Sequence, residues 1–118
     1  MTHAHAVSDL AKLSVGSLVW MASAQPVLDE SSEDNLVQRA REGDRDALEQ
    51  LAVRNLRIVI DEAIRTRGRG LSQQRLVRVG LSALLDAVRF YEPLVHGRFS
   101  SHLRDRVRLA LQDTISVS

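Results

Sequence analysis

The chain has 118 residues, of which 44% are hydrophobic, 26% charged and 3% aromatic, with no cysteine and a formal net charge of +1. That length holds one domain around a single, mostly aliphatic core, and the composition is too apolar for a disordered chain. Disulfides, thiolate zinc sites and cysteine nucleophiles are excluded. No apolar run approaches the roughly 20 residues that span a bilayer, and the first residues lack a basic secretory leader, so the expectation is a cytoplasmic protein.

Residues 1–8 read as a tail carrying His3 and His5, followed from Asp9 to Met21 by a short helix built on Leu10, Leu13, Leu18 and Trp20 and weakened by Gly16. The segment AQPVLDESSED is a connection, with Ser31, Ser32 or Asp34 as candidate caps for the next helix. In that helix Leu36, Val37 and Ala40 share a face, and EGD (residues 42–44) interrupts it with a glycine. From Asp44 or Arg45 the apolar residues Ala47, Leu48, Leu51, Ala52, Leu56, Val59, Ile60, Ala63 and Ile64 recur at helical spacing, so helix should continue with little interruption to Thr66.

RGRGL (residues 67–71) supplies glycines for a turn. Next comes a strongly apolar helix in which Leu76, Leu84, Leu85 and Val88 read as core, ending near Tyr91 because Pro93 disfavours helix before it. EPLVHG is a loop. In the last helix Phe99, Leu103, Val107, Ala110 or Leu111, and Thr114 or Ile115 face inward, and Arg104, Arg108 and Gln112 form another stripe. No stretch of useful length alternates apolar and polar residues, so the expected class is all-α.

Basic charge is concentrated late. Residues 33–62 carry five arginines against eight acids, whereas residues 63–118 carry ten against four, and Lys12 is the sole lysine. Arginine favours bidentate contacts with phosphate or carboxylate, a preference that leaves nucleic acid and protein both open.

The stretches PVLDESSEDNLVQRAREGDRDALEQLAVRNLRIVIDEA, RGRGL, LVRVGLSALLDAV, EP and RFSS, in this order and at these separations, resemble the second region of bacterial RNA polymerase sigma factors together with the segment before it. The resemblance runs from about Pro26 to Ile115. It divides the chain into an N-terminal tail and short helix (residues 1–25) and a region-two-like helical bundle (residues 26–118). It also implies that the penultimate helix docks on RNA polymerase and that the last helix meets promoter DNA. On this basis the DNA side comprises Arg98, Phe99, Ser101, His102, Arg104, Arg108 and Gln112, and the polymerase or partner side Arg75, Leu76, Arg78, Val79, Leu81 and Asp86. Arginines there would neutralise phosphates, and Gln112 would reach a base edge.

The chain departs from the family pattern at two places. Arg75 and the pair Arg78–Val79 stand where family members carry acidic or polar residues on the polymerase side, and Val79 with Leu81 suggests either a protein interface or changed core packing. His102, Asp105 and Arg106 stand where family members place a tyrosine and two tryptophans. Each lost stacking platform is worth about 1–3 kcal/mol per base. The expectation is therefore a sigma-factor-like regulator that binds polymerase, promoter DNA or both without melting promoters alone. The alternatives are a sigma mimic that binds an anti-sigma-type protein, and an assembly module with self-association left open. No catalytic set, metal site, cofactor, small-molecule substrate or membrane contact is expected.

Overall fold

A computed structural model describes residues 10–26, 28–66 and 70–116. Among them the chain forms seven helices and no strand: α1 (Val15–Ser23), α2 (Glu30–Arg41), α3 (Arg45–Arg54), α4 (Leu56–Thr66), α5 (Gln73–Phe90), the single turn α6 (Pro93–His96) and α7 (Phe99–Ser116). The tail with His3 and His5 and most of the RGRGL turn lie outside the described residues. No described helix is long and apolar enough to cross a membrane.

Local chemistry sets most boundaries. Leu10 and Ala11 are helical, but residues 12–14 break the helix expected from Asp9 to Met21; the hydroxyl of Ser14 accepts from the Ser17 amide, so α1 begins at Val15 and runs on to Ser23. The cap of α2 is Asp29, which accepts from the Ser32 amide at 2.7 Å, rather than Ser31, Ser32 or Asp34. Gly43 takes φ 98° between α2 and α3, and Asp44 both caps α3 through the Ala47 amide and holds Arg39 at 2.7 Å. Only Asn55 separates α3 from α4; its side-chain amide donates to the Leu51 carbonyl. Ser72 caps α5, and the backbone leaves the helix at Tyr91, two residues before Pro93. The EPLVHG loop contains one helical turn, with Pro93 at its first position, where its missing amide costs nothing.

Helices α5 and α7, each 18 residues long, pack along one another, with α4 against both. Leu76, Leu81 and Leu84 of α5, Leu56 and Val59 of α4, and Phe99, Leu103, Val107 and Leu111 of α7 make the centre of the core. Helix α2 pairs with α3, and α1 lies on α4, adding Leu18 and Ala22 to the same core. Gly80 lets α5 approach Val59 and Val107 closely.

Candidate docking and nucleic-acid surfaces

Helix α7 places its predicted DNA-side residues in three different surroundings. Phe99 and His102 are buried, at 0% and 6% exposure. Phe99 sits four and eight residues before Leu103 and Val107, so it shares their inward stripe, and His102 lies beside that stripe. As found, neither ring is available to a base. Ser101 and Gln112 are exposed.

The arginines turn inward at their tips. Glu62 of α4 has a side chain only 3% exposed, and it accepts from Arg104 at 3.1 Å and from both Nε and a terminal nitrogen of Arg108 at 3.1 Å. The hydrogen bonds from Arg108, outweighing the cost of burial, hold the Glu62 carboxyl below the ordinary glutamate range, and Glu62 in turn raises Arg108. One carboxylate thus serves two guanidiniums, and the group keeps one net positive charge. Arg98 makes a longer contact, 3.3 Å, with the equally buried Glu33 of α2. There burial prevails over the guanidinium and pushes the Glu33 carboxyl up. Arg106 lies over the Phe90 ring, 5.1 Å from its centroid.

His102 belongs to a cluster of rings that closes α6 onto α7. Its ring stacks on His96 with centroids 4.1 Å apart, and Tyr91 lies 5.5 Å away. The His96 Nδ1 accepts from the Glu92 amide at 2.9 Å, and the Tyr91 hydroxyl donates to the Gly97 carbonyl. The Nε2 of His102 is buried without a hydrogen-bond partner among the described residues. Burial first, then His96 and Arg106, lower its proton affinity from the usual 6.5. A histidine depressed in the fold adds stability that is complete above the unfolded value and is lost as pH falls through the folded one. Lowering pH from about 7.5 to about 5.5 should therefore destabilise the protein, and the loss should be smaller in His102→Leu, as read by urea denaturation at the two pH values.

Helix α5 separates its predicted partner-side residues in the same way. Leu76 and Leu81 are core, at 0% and 1% exposure, and Val79 is half-buried against the core. The alternative of changed core packing accounts for Leu81. Arg75, Arg78 and Asp86 are exposed. Leu85, expected in the core, is instead 40% exposed and borders a groove of about 400 Å³ shared with Ala40, Arg41, Leu48, Val88 and Arg89. It stands one residue, or 100°, from the buried Leu84, which turns it outward. Arg75, Arg78, Ser82, Leu85 and Arg89 thus form one outer stripe three or four residues apart, and Arg75, Arg78 and Arg89 make no ion pair among the described residues.

Sequence reasoning missed Glu33, Glu62 and Leu85. Glu62 carried a usable signal, since it lies between Ile60 and Ala63 within an apolar face, where a carboxylate needs a cation. Among the described residues no cluster of three potential metal ligands occurs.

No family model matches the chain. It is 34% identical over 91 residues to RNA polymerase sigma factor SigA of Clostridium acetobutylicum, a match covering 77% of this chain and 24% of that protein. It is 32% identical, with the same coverage, to the sigma factor SigA of a Bacillus species. The chain is a distant homologue of a segment of these sigma factors, and spans about a quarter of the length of the curated relatives it matches.

Proposed function

We propose that this distant homologue of a sigma-factor segment acts in transcription as a non-enzymatic regulator. It would dock the outer stripe of α5 and the adjoining groove on core RNA polymerase, and would not open promoters alone. The observation that carries this reading is the contrast between the two charged stripes. Arg98, just before α7, and Arg104 and Arg108 on it are tied to buried carboxylates. Their residual charge supports a weak, salt-sensitive attraction to DNA, and Gln112 and Ser101 remain outward. No aromatic ring stands exposed along α7 to hold an unpaired base.

On α5, Arg75, Arg78 and Arg89 make no ion pair among the described residues and surround an apolar centre. Leu85 beside an open groove, flanked by Arg78 and Arg89, has the anatomy of a protein contact: an apolar anchor within a polar rim. Arg75 and Arg78 favour a second reading as well, in which the stripe holds an acidic regulator in place of polymerase.

Affinity capture with the tagged full chain and purified core polymerase tests the first reading. Wild type should retain polymerase at low salt, and Leu85→Asp should weaken retention by about thirtyfold or more, the effect of losing an interface anchor. Retention of a small acidic regulator, lost with Arg75→Glu or Arg78→Glu and accompanied by no polymerase binding, selects the second reading. Retention of neither at low salt overturns both.

A further inference from the structure

Where α1 lies on α4, a second face carries exposed apolar side chains. Trp20, the sole tryptophan, is 73% exposed, and Leu13, Val19 and Ile64 are 37%, 43% and 40% exposed. Beside it a groove of about 240 Å³ runs between Val19 and Ser23 of α1 and Ile60 and Ile64 of α4, with Arg57 and Asp61 along it. Apolar exposure concentrated in this way marks a contact surface.

We propose that this face joins two copies of the chain about a two-fold axis. Each Trp20 indole enters the other copy's α1–α4 groove, and each Arg57 pairs with the other copy's Asp61. A two-fold contact requires a patch complementary to itself. This patch meets the requirement in shape, with a projecting ring and an open groove side by side, and in charge, with one cation and one anion a single turn apart on α4. Antiparallel apposition of two α4 helices sets Arg57 against Asp61 twice. Within one chain Arg57 and Asp61 form no ion pair with each other or with another described residue. A partner of uniform charge would leave one of the two opposed by its own sign, whereas a second copy satisfies both. Tryptophan and arginine are also the residues that most often anchor such contacts.

The test is sedimentation of the full chain from about 1 to about 300 µM, where mass action converts monomer to dimer, with Trp20 fluorescence recorded alongside. Dimer should form as concentration rises, and the indole emission should move to shorter wavelength in step. Arg57→Asp and Asp61→Arg should each weaken dimerisation on the order of a hundredfold by opposing like charges. An equimolar mixture of the two variants should dimerise again, because each Asp then meets an Arg. Trp20→Ala, outside the core, should abolish the dimer with helical circular dichroism unchanged. Monomer at every concentration overturns the proposal, as does self-association insensitive to these variants, or failure of the mixture to recover. None of these outcomes bears on retention by polymerase, which reads a different face.

Discussion

Phe99→Ala is expected to destabilise the protein by about 3–5 kcal/mol, the usual cost of emptying an aromatic site in a core. Phe99 has no exposed surface and is among the largest fully buried side chains. Its ring meets Tyr91 edge to face with centroids 5.3 Å apart, and Tyr91 in turn bonds the Gly97 carbonyl, so one ring ties the end of α5, the α6 turn and the start of α7. Alanine leaves a cavity at that junction, into which the surrounding packing relaxes only in part. Since small domains are stable by only about 5–15 kcal/mol, the variant should lose a large share of its stability. Urea denaturation should show a clear drop in midpoint, and Phe99→Leu, closer in volume, a much smaller one. A ring used as a base-stacking platform predicts the reverse: unchanged stability within about 0.5 kcal/mol, as at ordinary surface sites, and weaker single-strand DNA binding.

Gly80→Ala should destabilise through overpacking. A Cβ at position 80 falls 2.7 Å from Val59 Cγ1 and 3.5 Å from Val107 Cγ1, and both valines are buried. A β-branched side chain in a helix holds one rotamer, so Val59 cannot swing aside. Alanine gains about 0.8–1.0 kcal/mol of helix propensity over glycine, whereas a forced methyl in a packed core costs about 1–3 kcal/mol and sometimes more. The steric cost should win, because a 2.7 Å contact with Val59 requires α5 to move away from α4. Adding Val59→Ala frees the space, so the double variant should be more stable than the sum of the two single losses. Simple additivity in thermal or urea unfolding would refute the close approach of α5 to α4.

The kinship was legible early because it lies in ordered short stretches: EGD at a turn, RNLRIV across the junction of α3 and α4, and RFSS opening α7. The partition of site residues was not. Arg104 and Arg108 look like a solvated basic stripe in any local window, and their partner Glu62 is 42 and 46 residues away. Arg98 and Glu33 are 65 residues apart. No spacing rule reports such pairs, since they exist only once α2, α4 and α7 meet.

What the sequence alone determined was helical: the 3.6-residue periodicity that sends Phe99, Leu103 and Val107 inward, the start of a helix at Asp44 or Arg45, and the stop before Pro93. These are interactions between near neighbours, present in any helix of that composition. Tertiary structure decided which surfaces remain for partners. Packing turned Leu81 in and Leu85 out, drew His102 beneath His96, and left Trp20 outside the core. A side chain's exposure depends on which other helix covers it, and that is a property of the assembled bundle.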